Sequence, residues 1–307
     1  MRLFTKLLKK HRSTARKYAD PIILGKAEET IERYREIISD PLNLLISRVP
    51  SSGYVDSEKC VILHNGNRVP VEGDLAYYRE FSDILILNRG VHEPLEEFCF
   101  QETLKKIRSP SPLMLELGAY WAHYSMWFLK EKPDGVCVMV EPDQTNLNCG
   151  RNNFSINKFK GEFIKSFVGR ESFKVDEFVS ERKIERLQIL HSDIQGYELE
   201  MLEGSSTFLQ EHRADYIFVS THSQKLHSSV VQTLENLGYR VEISADFDHQ
   251  TTSLDGFVLA SSPNVEPIFE EFVPMGRIEI AGLNQQQLIA YLLSVPLVRK
   301  TEVCEPL

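Results

Sequence analysis

Two regimes of apolar spacing divide the chain. From Pro112 onward, short apolar runs closed by a Gly, Pro or polar cluster alternate with longer stretches of helical period, the signature of repeated strand–helix units. This predicts strands at PLMLELG, GVCVMVEP, GEFIKSFVG, LQILHSDIQG and ADYIFVSTH, and helices at AHYSMWFLKEK, TNLNCGRNNFSIN, YELEMLEGSSTFLQEH and KLHSSVVQTLENLG, the last stopped by a Gly at its C-cap. YRVEISADF and GFVLASS follow with no helix between them, so they should pair antiparallel and close a mostly parallel, doubly wound α/β sheet. Upstream the pattern is different. Residues from Lys26 to Ser47 read as helices broken at Asp40-Pro41, and VILHNGNRVPVEGD sets an Asn-Gly turn between two short apolar runs, as in a hairpin. The predicted organisation is a helical and hairpin extension over 1–88 acting as a cap or lid, a core over 89–262, and a C-terminal extension over 263–307 with one helix from Asn284 to Val295.

Composition narrows what this core can serve. With 307 residues and 42% hydrophobic content the chain can bury a full core, and a net charge of -9 opposes the phosphate-neutralising surface of a nucleic-acid binder. Cys60, Cys99, Cys137, Cys149 and Cys304 never fall at C-x-x-C spacing, which predicts core thiols in a reducing compartment and no zinc knuckle. No apolar run approaches the roughly 18 residues needed to cross a bilayer, and no signal-peptide pattern opens the chain, so a cytoplasmic protein is expected. The acid-free segment MRLFTKLLKKHRSTARKY places Leu3, Phe4, Leu7 and Leu8 on one helical face. Contact with an anionic membrane surface is one reading of it, and a solvated helix packing on the domain is the favoured one.

The first strand runs into MLELGAYWAHYSMWF, which sets Glu116, Gly118, Tyr120 and Ala122 at the strand-to-helix turn where doubly wound sheets bind ligands. Gly118 lets backbone approach a ligand there, or it simply makes a tight turn. Glu141 ends the second strand, twenty-five residues after Glu116. That spacing suits one βαβ unit, with Glu141 accepting hydrogen bonds from both ribose hydroxyls of a nucleoside cofactor rather than standing as a surface acid. A diphosphate needs G-x-G-x-x-G, whereas GAYWAHY fills the turn with Tyr120 and Trp121. S-adenosyl-L-methionine carries no diphosphate, and Glu116 with the turn backbone can hold its amino-acid end. Tyr124 and Trp127, at near-helical spacing, read as core.

These residues resemble the FkbM-type methyltransferase family. ELGAYWAHYS is similar to its first motif, an acid followed by V-G-A-N and a glycine, and HSDIQGYELEMLEG, from His191 to Gly204, to its K-I-D-[VI]-[EQ]-G-x-E-x-x-x-L-x-G motif. NRGVHEPLEEF resembles the segment that carries a Glu, here Glu93, shortly before the first strand. The resemblance covers roughly Val91 to Ala260. It implies a class I methyltransferase variant of the Rossmann-like fold, S-adenosyl-L-methionine as cofactor, and O-methylation of sugars or hydroxylated natural products. Tyr120 replaces the motif Asn, Ala122 its second Gly, and His191 its Lys.

Methyl transfer to an alcohol is an in-line displacement that needs help in removing a proton. Asp193 and His222 end the fourth and fifth strands and project into one cleft. His222, taken with an ordinary value near 6.5, is the preferred base, a structural histidine being the alternative. Asp193 then orients it, contacts the donor or binds the hydroxyl. Glu198 and Glu93 are candidate substrate contacts, Glu198 being also explicable by the helix dipole. Asp193, His222, Asp246 and His249 are the available metal ligands, with Gln195 where a second carboxylate would be wanted, but no resident metal is expected. The partners expected are a small-molecule or carbohydrate acceptor and no nucleic acid. Rival readings keep the donor but methylate nitrogen or carboxylate, or make the chain a catalytically inactive donor-binding scaffold.

Overall fold

The computed structural model describes residues 26–77 and 81–295; the basic face of Leu3, Phe4, Leu7 and Leu8, and Cys304, lie outside them. The chain opens with helix α1 (Glu28–Ser39) and a 3-10 turn (Pro41–Leu44). Asp40 breaks the two apart as expected, its side chain accepting the N–H of Leu42 at 2.9 Å. Strands β1 (Cys60–Ile62) and β2 (Arg68–Pro70) form the antiparallel hairpin around Asn65-Gly66, with Gly66 at φ +86° in the left-handed region that the turn requires. Helices α2 (Asp83–Leu87) and α3 (Pro94–Lys106) lead into the sheet.

The sheet-forming part runs β3 (Leu113–Leu117), α4 (His123–Glu131), β4 (Val136–Val140), α5 (Gln144–Asn157), β5 (Glu162–Ile164), α6 (Val175–Arg182), β6 (Leu187–Ser192), α7 (Glu198–Glu203), α8 (Ser206–Gln210), β7 (Ala214–Thr221), α9 (Gln224–Asn236), β8 (Arg240–Ala245) and β9 (Gly256–Ser261). Its order is β5-β4-β3-β6-β7-β9-β8. β3 to β7 are parallel and β9 is antiparallel to both β7 and β8. This is the doubly wound class I methyltransferase arrangement. The chain reverses its winding direction at β3, so the crevice at a topological switch point lies beyond the carboxyl ends of β3 and β6.

Alternation along the strands sends side chains to two faces. Met114, Cys137, Ile189 and Phe218 join one buried cluster together with Tyr34, Leu42 and Ile84 from the N-terminal segment and Phe269 and Tyr291 from the C-terminal one. Leu115, Val138, Leu190 and Val219 face Phe178, Met201, Phe208 and Val230 of the helices on the other side. The N-terminal segment therefore shares a core with one face of the sheet.

Three local expectations change. GEFIKSFVG yields only the three-residue edge strand β5. Helix α6 was not predicted, although Val175, Phe178 and Val179 are its buried stripe. YELEMLEGSSTFLQEH splits at Gly204-Ser205, where the Ser205 hydroxyl donates back to the carbonyl of Met201 at 2.7 Å. Two helices close the described chain, α10 (Arg277–Gly282) and α11 (Gln285–Ser294), the second over the predicted span.

Candidate functional site

The turn after β3 and the turn after β6 are locked together. Gly118 has φ +75°, and a Cβ on it would lie 1.7 Å from the carbonyl oxygen of Asp193, so any side chain at this position would separate the two loops. The next positions adopt unusual backbone for their type: Tyr120 at φ 40° and Ala122 at φ 59° both occupy the left-handed region that favours Asn and Gly. They are the two positions at which the sequence departs from the family's first motif. Glu141 holds the turn in place, its Oε2 accepting the Tyr120 N–H at 3.0 Å, and Asn153 Nδ2 donates to the Trp121 carbonyl at 3.0 Å.

The other Glu141 oxygen, Oε1, accepts from the Asp143 N–H at 2.9 Å and from Asn146 Nδ2 at 3.3 Å. A carboxylate offers about four lone-pair sites, so Oε2 retains one, enough for a single ribose hydroxyl rather than the expected pair. Burial raises the Glu141 carboxyl above its usual value while the Asp143 and Tyr120 N–H groups pull it back. Glu116 lies beneath this turn instead of in it. It is 2% exposed, accepts the Ser125 N–H at 3.2 Å, and is pushed up by burial to about 7. Trp121, Tyr124 and Trp127 are core, and Tyr120 packs partly buried against that core.

At the carboxyl ends of β6 and β7 the structure brings Asp193, His222 and Glu198 together and adds Asp255. His222 Nδ1 lies 2.8 Å from Glu198 Oε1, and its Nε2 lies 3.2 Å from Asp193 Oδ1 and 3.3 Å from Asp255 Oδ1. Gln195 Nε2 sits 2.8 Å from the same ring nitrogen and 3.1 Å from Asp193 Oδ1. Asp246 and His249, the other metal candidates, stand apart from this group, with the His249 side chain 64% exposed. Asp193, His222 and Asp255 each offer a ligand atom within 4.8 Å of the others.

The electrostatics correct the expectation of a neutral His222. Burial disfavours its charged form, but hydrogen bonds to Asp193 and Glu198 and the charges of Asp255 and Asp193 outweigh that and raise it to about 10. At pH 7 it is an imidazolium with no lone pair to offer. Asp255 moves the other way for a base: burial and the Asp193 charge raise it to about 7, against the pull of His222. Glu198 is fully buried, and its Oε1 is turned onto His222 Nδ1 and the Gly196 N–H, which orients the ring. Glu93 is half-buried, accepts from Tyr124 Oη at 3.0 Å, and its charge reaches Asp255. The Glu93 carboxyl is held at about 2, because the adjacent His92 overcomes the penalty of burial.

Asp255 escapes sequence reading because it depends on which strand inserts where. β9 pairs antiparallel with β7 in the register Thr221↔Gly256. The residue after β7 and the residue before β9 must therefore sit side by side, and these are His222 and Asp255. A cleft of about 1460 Å³, lined in part by Gln188, Asp215 and Glu266, opens at the amino ends of β6 and β7. It lies away from these groups, and we place the chemistry at the carboxyl ends, where the titratable side chains converge.

Residues 163–241 match the methyltransferase FkbM domain family. This span runs from β5 into β8 and contains Asp193, Glu198 and His222. No curated protein matches the chain. Among solved structures it is similar to the precorrin-6y C5,15-methyltransferase of Geobacter metallireducens, with 16% identity over 53% of this chain and 87% of that one and a TM-score of 0.40. Similarity extends to M. capricolum TrmK in complex with S-adenosyl-homocysteine, at 15% identity over 63% and 80% of the chains and a TM-score of 0.39. A third is an O-methyltransferase family protein of Burkholderia thailandensis, at 9% identity, 61% of each chain and a TM-score of 0.40.

Proposed function

We propose that this chain, an S-adenosylmethionine-dependent methyltransferase of the FkbM type, methylates a hydroxyl group on an uncharged acceptor such as a sugar or a hydroxylated natural product. The observation that carries the reading is the convergence of Asp193 and Asp255 on His222 beside the turn that holds Gly118. S-adenosylmethionine supplies an electrophilic methyl group on a sulfonium. Glu141, with a free lone pair on Oε2, and the Gly118 turn fit its ribose and backbone-facing parts.

The protein's own residues then handle the acceptor. An ionised Asp255 carboxylate takes the hydroxyl proton, since its value near 7 gives it both an ionised population at neutral pH and a useful affinity for the proton. Asp193 Oδ1, on the other side of His222 Nε2, holds the imidazolium in place and so fixes the position of the ring beside Asp255. His222 stays protonated, holds the two carboxylates apart at a set distance, and is fixed by Glu198. Gln195 Nε2, donating to Asp193 Oδ1 at 3.1 Å, fixes that carboxylate from the side. A cluster of Asp193, Asp255 and Glu198 around one cation repels an anionic acceptor, which disfavours carboxyl methylation.

The test is methyl transfer from labelled donor to a panel of polyols, glycosides, amines and carboxylic acids, with Asp255→Asn beside the wild type. O-methyl products, lost in the variant with donor affinity retained, support the reading. Products on nitrogen or carboxylate overturn the acceptor assignment. Donor binding with no product from any class points to a donor-binding scaffold.

A further inference from the structure

A second histidine–carboxylate cluster lies buried inside the fold and shares no residue with the acceptor site. His64 follows β1, Glu97 lies in the first turn of α3, and His123 is the first residue of α4. Their exposures are 1%, 0% and 2%. His64 Nε2 lies 2.9 Å and His123 Nε2 3.9 Å from Glu97 Oε2, and the three atoms all fall within 4.8 Å of one another.

His64 Nε2 and Glu97 Oε2 have only each other, at 2.9 Å and poorly aligned, and His123 Nε2 has no hydrogen-bond partner. Buried polar atoms are nearly always satisfied, so three atoms without well-aligned partners facing one gap call for an occupant that accepts lone pairs. The other Glu97 oxygen is fully engaged: Oε1 accepts the N–H groups of His92 at 2.8 Å and Glu93 at 3.1 Å and faces His92 Nδ1 at 2.7 Å. That second layer fixes the carboxylate so that Oε2 points into the gap, as outer-shell groups do around metal ligands.

We propose that His64, Glu97 and His123 bind one divalent transition-metal ion of the zinc class. Two imidazoles and one carboxylate are the donor set of borderline first-row ions and not of Mg²⁺ or Ca²⁺, which take oxygen ligands. Bonds of about 2.0 to 2.2 Å would bring His123 Nε2 closer to Glu97 Oε2 and move His64 Nε2 slightly away from it, replacing lone-pair contacts by coordination. His64 also lines an open cleft of about 720 Å³ with Arg48, Gln101 and Trp127, which gives an ion a way in. The ligands come from the hairpin, from α3 and from the helix that follows the donor turn, so the ion ties the N-terminal segment to the start of α4. The site is independent of the acceptor chemistry proposed above.

The experiment uses the full chain, stripped with chelator and dialysed, then titrated with Zn²⁺ and in parallel with Co²⁺. Expected are one tightly held equivalent per chain, a Co²⁺ ligand-field absorption band, and a melting temperature that rises with the first equivalent and not beyond it. His123→Ala and Glu97→Gln should weaken binding at least 100-fold, and Asp255→Asn should leave it unchanged. Wild-type protein that binds neither ion and melts at the same temperature with or without Zn²⁺ overturns the proposal, whatever the variants do. Binding lost in Asp255→Asn but kept in His123→Ala assigns the ion to the acceptor cluster and overturns it equally.

Discussion

The two histidine–carboxylate clusters of this molecule are built from the same side chains and differ in their access to water. Around His222 the side-chain exposures are 34% for Asp193, 14% for the histidine and 21% for Asp255, whereas His64 and Glu97 have 1% and 0%. Partial access to water lets the outer cluster exchange protons with a substrate, while the burial that remains raises the Asp255 carboxyl to about 7. Full burial denies the inner one that freedom and leaves its atoms to be satisfied by each other or by an ion. Residue type alone thus says little about role; the surrounding dielectric and the elements that deliver each ligand decide it.

The comparison breaks first, and by the largest effect, at Asp255. If the outer cluster moves protons, the rate should rise with pH through about 7 as the Asp255 carboxyl ionises, then hold until His222 loses its proton near 10. Asp255→Asn should remove that rise and lower turnover by about 10² to 10⁴, with stability little changed. His222→Ala should shift the rise to higher pH, since the imidazolium is what lowers Asp255. A pH–rate profile of the three proteins decides it; an Asp255→Asn enzyme with normal turnover ends the carboxylate-base mechanism.

Next in size is the donor side. Glu141→Ala removes one hydrogen bond from a charged acceptor, about 1.5 to 3 kcal/mol, so the donor Kd should weaken by roughly tenfold or more. Part of that loss reflects the freed Tyr120 N–H, and Glu141→Gln, which keeps an acceptor, should lose less. Calorimetry on the folded variants measures both, and an unchanged Kd in Glu141→Ala rules out the ribose role. NAD should give no binding signal.

The last effect is read on stability. Gly118→Ala meets the Asp193 carbonyl and requires φ +75°, which should cost more than about 2 kcal/mol, read as a lower urea midpoint. A midpoint equal to wild type would mean that the two turns separate easily and that donor and acceptor sites are less coupled than their contact implies.

Much of this was legible in order along the chain and little of it across the chain. Strand runs such as LQILHS and ADYIFVST carry their own signal because every residue is buried, and the Glu116–Glu141 spacing follows from one βαβ unit. Helix α6 was missed because its three apolar residues sit among charges in what reads as a connection. Asp255, His64 and His123 were missed for a different reason: each acquires its neighbours from sheet insertion or from a segment outside the sheet, and no local spacing encodes that. The charge on His222 was missed likewise, since it follows from the number of carboxylates that the fold delivers around it.

The contact between Gly118 and the Asp193 carbonyl has a practical consequence for redesign. Exchanging the loop of residues 193–196 for one from another enzyme, the obvious way to graft a new acceptor preference, would displace the donor turn with it. A library aimed at a new acceptor is better placed in the chain that leads into β9 around Asp255, which reaches the same acceptor site from the far side without touching Gly118. Such libraries should yield variants that change what is methylated while leaving the cofactor bound as before.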